Sequence, residues 1–241
     1  MIDHLSIRER PPGWPMMYQS WGKLLFMHWE IPEELLRPLV PERLTLETYE
    51  GRAWLGVIPF TMWGIRPVLL PAVPGLSDSH ELNVRTYVHL DGVRGVWFLS
   101  LDASNPAAVS AARFLFHLPY FRARMRLLED AGAIRFTSTR RHFGTPAATF
   151  EASWIPGEPL PESEPGSLEF FLTERYCLYA ASRRNLYRTR IYHLPWPLRR
   201  AELLAHSSTM LPSHGLPQPE ETPLLHYADE QHVEVWPPER I

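Results

Sequence analysis

Glu81-Leu82-Asn83-Val84-Arg85-Thr86-Tyr87-Val88, then Asp91-Gly92, then Gly95-Val96-Trp97-Phe98-Leu99-Ser100-Leu101, is the stretch that decides how this chain folds. Side chains alternate across a strand with period two. Leu82, Val84, Thr86 and Val88 therefore share one face, and Glu81, Asn83, Arg85 and Tyr87 share the other. Asp91-Gly92 is a hairpin signal. The second strand is apolar on both faces except at Ser100, the pattern of a strand covered on both sides. Its hairpin partner is not expected to leave a polar face in bulk solvent. The stripe reads as the lining of an enclosed cavity, or alternatively as an ordinary solvated face of an antiparallel sheet.

Working outward, 241 residues suffice for one large core or two small domains. A net charge of -3 without runs of like charge argues against nucleic acid or an anionic membrane surface as partner. The single cysteine, Cys177 in Tyr176-Cys177-Leu178-Tyr179, closes no intrachain disulfide and fits a reducing compartment. It reads as a small buried hydrophobe rather than a nucleophile. Met1-Ile2-Asp3-His4 opens no secretory signal, and no apolar run reaches membrane-spanning length. A soluble, cytoplasmic protein is expected. Twenty-five prolines exclude long helices. Lys23 is the only lysine, so imine chemistry has one side-chain amine to use.

Residues 1–20 read as an N-terminal arm, and 21–241 as a single domain. Strands are expected at Lys23 to Trp29, Thr45 to Tyr49 and Ala53 to Phe60, the last two joined at Glu50-Gly51. A short turn of helix follows Pro32. Arg66 to Ser79, with Pro67, Pro71, Pro74 and Gly75, is a loop able to cover a cavity mouth. Asn105-Pro106 starts a helix through His117, and Ser167 caps a second through Thr173. Further strands are read at Arg122 to Leu128, Ile134 to Arg141, Ala147 to Trp154, Tyr176 to Ala181 and Tyr187 to Leu194. Leu224 to Tyr227 and His232 to Trp236 read as two short ones. Many short strands, a few short helices and no repeat describe a mainly antiparallel barrel or sandwich with helical decoration.

Phosphate loops, dinucleotide fingerprints, HExxH, CxxC and GxSxG are all missing. No metal site and no cofactor are expected. The remaining chemistry is a polar set that a cavity could collect. Glu81 and Arg85 share a face but stand about 13 Å apart along the strand, too far to pair. Asn83 lies between them. Arg113 on the alanine-rich helix is either a solvated charge or a partner for a carboxylate on the sheet. Tyr120 follows Pro119 where the chain leaves that helix, and is either a packed aromatic or a site residue. Glu174-Arg175-Tyr176 reads as a structural ion pair or as a source of a buried cation.

Several segments resemble one family. They are Phe26-Met27-His28-Trp29, Leu36-Arg37-Pro38-Leu39-Val40-Pro41, Ala53-Trp54-Leu55-Gly56-Val57-Ile58-Pro59-Phe60, Glu81 to Tyr87, and Leu118-Pro119-Tyr120. Together they are similar to the YqjF-like family of bacterial proteins of unknown function, DUF2071, from about Trp21 to beyond Trp196. More remotely the chain resembles acetoacetate decarboxylase, through a short helix leading into Leu39-Val40-Pro41-Glu42 and a strand. The resemblance implies a mainly β fold with short helices (α+β), a closed antiparallel acetoacetate decarboxylase-like barrel around an internal cavity. It also implies a catalytic glutamate about where Glu81 stands. The departure is equally informative. Those decarboxylases carry their lysine after a Tyr-Pro pair, where this chain has Tyr120 and Phe121 in Leu118-Pro119-Tyr120-Phe121. Their arginine before the first strand corresponds to a place near Gly22, beside Lys23. A phenol forms no Schiff base.

The resulting expectation is a cavity for a small carbonyl or carboxylate compound, worked without Schiff-base lysine chemistry. Glu81 would be the general acid or base, and Tyr120 would donate a hydrogen bond. Asn83, Arg85, Arg113 and Arg175 would hold the substrate. The alternative is a non-catalytic small-molecule binding protein or sensor. A third reading makes the polar lumen purely structural. A homo-oligomer is left open.

Overall fold

The computed structural model describes residues 6–73, 77–183 and 185–241. Met1 to His4 and the loop residues Pro74 and Gly75, read above from sequence, lie outside them. The strands are β1 (Met17–Glu30), β2 (Thr45–Leu46), β3 (Thr48–Tyr49), β4 (Arg52–Pro67), β5 (Ser79–Leu90), β6 (Val93–Ala103) and β7 (Tyr120–Asp130). They continue with β8 (Ala133–Arg140), β9 (Thr149–Pro159), β10 (Cys177–Ser182), β11 (Asn185–Tyr192), β12 (Arg199–Ser208), β13 (Leu224–Val235) and β14 (Glu239–Arg240). The helices are α1 (Glu33–Leu36), α2 (Pro106–Phe116) and α3 (Leu168–Thr173). Among the described residues no helix is long and apolar enough to cross a membrane.

Turn chemistry and caps form where the sequence places them. Asp91 and Gly92 take φ of 50° and 84° and join β5 to β6 with Leu90 opposite Val93. Both left-handed values are those of the tight turn that suits twisted strands. Glu50-Gly51 makes the same turn between β3 and β4. Asn105 accepts from the amides of Ala107 and Ala108, and Ser167 from that of Phe170, so both helix starts are capped by side chains.

The strands run β14-β11-β10-β6-β7-β8-β9-β12-β13-β1-β4-β5-β2, and the order returns on itself because β5 also pairs with β6 and β11 with β13. The expected closed antiparallel barrel needs correcting in two respects. First, β6 runs parallel to β10 at Val96–Trp97 and to β7 at Leu101–Ala103. The β6–β7 pair is parallel because α2 is the crossover between them. Second, β6 and β13 each give one edge to two different neighbours, so the wall branches and is not strictly closed. The sheet is mixed, and its class remains mainly β.

Other boundaries move as well. β1 begins at Met17, several residues before the expected Lys23, because β13 and β4 pair with it from there. The two short strands read near the C-terminus are one strand, β13. β12 has no counterpart in the sequence reading. Its alternation Arg199-Arg200-Ala201-Glu202 carries little apolar contrast, and its place is fixed by pairing with β9.

Two bulges aim side chains inward. Val84 faces Ser100 but Arg85 faces Phe98, so β6 holds one extra residue at Leu99. An extra residue reverses the alternation, and Val96, Phe98, Leu101 and Ala103 all line the interior. In β1, the pairings Gly22 to Thr61 and Met27 to Val57 also enclose one extra residue, where Lys23 takes φ 54°. Trp21, Leu24 and Phe26 consequently face inward together.

Candidate functional site

The interior holds a cavity of about 180 Å³. Most of its wall is apolar, with Phe26, Phe60, Phe98 and Trp196 among the lining side chains. The polar side comes from β5. Its alternation turns Glu81, Asn83 and Arg85 inward, and Glu81 and Asn83 are buried at 3% and 5% exposure. Tyr87, the last member of the stripe and expected on the same lining, does not line the cavity and is fully buried in the surrounding core, 5.1 Å from the Phe171 ring. Its hydroxyl donates to the Leu172 carbonyl (3.0 Å) and lies 2.7 Å from His28 Nε2.

Tyr120 opens β7, where Pro119 has ended the link from α2 and Leu101 pairs alongside. Its hydroxyl donates to Glu81 Oε2 at 2.7 Å. Asn83 Nδ2 is 3.5 Å from the other carboxylate oxygen. Among the described residues no ion pair reaches Glu81. Burial pushes its carboxyl up to about 7, against the lowering effect of the Tyr120 and Asn83 hydrogen bonds, and the nearby Asp102 carboxylate adds to the rise. Burial also raises the Tyr120 phenol, and the Glu81 charge raises it further. Such a phenol stays protonated and acts as a donor.

The cations gather at the other end. Arg175 leaves α3 with its Nε donating to the Phe171 carbonyl (2.7 Å) and its Nη1 pairing with Glu47 Oε2 (2.6 Å). Its Nη2 is buried without a hydrogen-bond partner among the described residues. Arg94 pairs with the other oxygen of Glu47. Arg85 Nη2 donates to the Leu172 carbonyl at 3.1 Å. The Arg85 and Arg175 guanidiniums stand 5.7 and 4.8 Å from the Tyr87 ring centroid. Burial lowers Arg85, and Arg175 adds to the lowering.

Glu81, Asn83, Arg85, Tyr120 and Arg175 thus line one cavity. Arg113 does not join them. It is exposed on α2, where its Nη1 donates to the Tyr120 backbone carbonyl at 2.7 Å, and it borders a separate outer groove. The face of α2 toward the cavity carries Ala108, Ala111 and Ala112 instead. The structural pair suspected within Glu174-Arg175-Tyr176 is also different: Arg175 pairs with Glu47, and Glu174 accepts from the Tyr176 hydroxyl and the Trp196 amide. Lys23 lies outside the cavity, paired with Glu129 at 2.9 Å.

Sequence reasoning missed His193 and Thr173, both buried and both lining the cavity. Period two from Ile191, which also lines it, was the available signal for His193. Its ring stacks on Tyr176 at 4.4 Å with Nδ1 2.7 Å from the Leu194 carbonyl, and burial lowers its pKa. Among the described residues no cluster of three or more His, Cys, Asp or Glu could hold a metal.

The mixed, mainly β wall has the acetoacetate decarboxylase-like fold. The chain superposes on the enduracididine biosynthesis enzyme MppR complexed with pyruvate with a TM-score of 0.65, at 11% identity, covering 96% of this chain and 93% of that one. An acetoacetate decarboxylase-like enzyme from Sphingomonas wittichii RW1 gives 0.64 at 11% identity, covering 94% and 93%. The acetoacetate decarboxylase of Legionella pneumophila gives 0.62 at 13%, covering 95% and 88%. Within that fold the chain belongs to the DUF2071 family of uncharacterized conserved proteins, whose model matches residues 18–232. It is 43% identical over 227 residues to the uncharacterized protein YqjF of Bacillus subtilis (strain 168), covering 94% of this chain and 93% of that protein.

Proposed function

We propose that the cavity binds a small carbonyl or carboxylate compound and moves a proton on it, without an imine. The observation that carries this reading is Glu81: a buried carboxyl pushed up to about 7, bonded to a phenol, with no ion pair among the described residues. A general base works best when its pKa lies near the working pH. Glu81 would take a proton from carbon next to a carbonyl and return it. Tyr120 would keep its hydroxyl proton and stabilise the Glu81 carboxylate whenever it forms. Arg175 and Arg85 would hold the anionic group. Chemistry through a Schiff base does not fit, because the sole lysine is outside the cavity and committed to Glu129. One buried cysteine, Cys177, fits a cytoplasmic setting.

The mainly apolar wall favours a second reading, a protein that binds such a compound without transforming it. Hydrogen–deuterium exchange separates the two. Oxo acids of graded length, from pyruvate to 4-acetylbenzoate, are incubated with the protein in deuterated buffer and followed by NMR, alongside thermal-shift measurements. Catalysis predicts exchange beside the carbonyl that Glu81→Gln slows by about 100-fold or more. Stabilisation by the acids without exchange supports the binding protein. If neither effect is seen, the polar lumen only organises the fold.

A further inference from the structure

Resting on the reading above, we infer that the ligand is two-ended: an acidic group at Arg85 and Arg175, a carbonyl or hydroxyl at Glu81 and Tyr120, and an apolar body of about one ring between them.

Charge gives the first end. Arg94 and Arg175 both pair with one carboxylate, Glu47, and among the described residues Arg85 has no ion pair. The cluster therefore carries an excess of positive charge in a setting where Arg175 is only 3% exposed. A buried cation without an anion is costly. Arg175 Nη2 is a buried donor with no partner among the described residues, and Arg175 lines the cavity. An anion from outside the chain would satisfy both the charge and the donor.

Distance gives the second end. Residues 81 and 85 are separated by about 13 Å along β5. The Arg85 side chain does not fold back toward Glu81. Its guanidinium lies by the Tyr87 ring and bonds the Leu172 carbonyl, as the Arg175 guanidinium also lies by Tyr87. An acid whose carbonyl adjoins its carboxylate is too short to meet both ends.

Volume and wall give the middle. A dry apolar cavity of about 150 Å³ holds a benzene; this one measures about 180 Å³ with both ends included and has Phe26, Phe60, Phe98 and Trp196 on its wall, so the body between the ends is at most one ring.

The test is calorimetric titration at neutral pH with 4-acetylbenzoate, benzoate, acetophenone, pyruvate and 4-oxopentanoate. The two-ended compound is expected to bind at least about tenfold more tightly than benzoate, which lacks the carbonyl, or acetophenone, which lacks the acid. Pyruvate should be weaker still. Arg175→Gln should weaken benzoate and 4-acetylbenzoate by about tenfold or more and leave acetophenone within about twofold. The wild-type series decides the matter even if that variant does not fold. Pyruvate binding as tightly as 4-acetylbenzoate would overturn the two-ended ligand, and 4-oxopentanoate doing so would overturn its ring-sized body; either result leaves the proposed cavity function standing. If no acid or ketone binds, both fall.

Discussion

The Tyr120 hydroxyl donates to Glu81 Oε2 across 2.7 Å, and the carboxylate it meets is buried with no ion pair among the described residues. The two residues come from β5 and β7, which β6 separates in the sheet. One hydrogen bond to a phenol stabilises the charged form of Glu81 less than a guanidinium would, so burial prevails and the carboxyl is held up to about 7.

Stability should therefore fall as pH rises through that value. A carboxyl raised in the folded state binds its proton more tightly there than in the unfolded chain. Its contribution is complete below the unfolded value of 4.5 and lost by pH above about 7. At about 1.4 kcal/mol per unit this amounts to about 3 kcal/mol. Glu81→Gln should flatten the dependence, and it should melt at or above wild type at about pH 8. Thermal unfolding across this range checks it. A variant that melts far below wild type at all pH values would point to a structural role for Glu81.

Tyr120→Phe keeps the ring and removes the donor. It should cost about 1 kcal/mol and move the ionisation of Glu81 upward, because the lost bond favours the carboxylate. The pH midpoint of ligand binding or turnover reports the shift. An unchanged or lowered midpoint would count against the assigned bond.

Asp102 is fully buried and paired to Arg140 at 2.8 Å. Asp102→Ala should destabilise by about 3–5 kcal/mol, since it strands a buried guanidinium. Asp102→Asn should also lower the Glu81 midpoint, because the Asp102 charge contributes to raising it. Denaturant unfolding and the pH profile of binding measure the two effects.

Borohydride should trap no adduct with acetoacetate or pyruvate. Lys23 is the only lysine and pairs with Glu129 outside the cavity. Intact-mass spectrometry after reduction checks this, and a mass increase mapping to Lys23 would refute it.

Gly22 stands beside the bulge at Lys23, where the Trp63 ring and the Asp229 backbone approach closely. A Cβ there would collide with a Trp63 ring carbon and meet the Asp229 carbonyl at 2.7 Å. Gly22→Ala should lose about 1–3 kcal/mol by overpacking. A melting temperature equal to wild type would show that the wall can yield.

Features that depend only on neighbouring residues are legible along the chain. The alternation of Glu81, Asn83, Arg85 and Tyr87, the turns at Glu50-Gly51 and Asp91-Gly92, and the caps Asn105 and Ser167 follow from period two, left-handed φ and local hydrogen bonding. Which distant groups meet follows from the assembled fold. It paired Arg175 with Glu47, 128 positions away, gave Glu81 a phenol in place of a cation, and put Arg113 and Lys23 outside. It also placed β12, whose polar alternation announces no buried face, beside β9. The difference lies in the pairing of strand edges. Local pattern sets the face a side chain takes along its strand, but bulges at Leu99 and Lys23 and the branching of the wall at β6 and β13 set what that face meets.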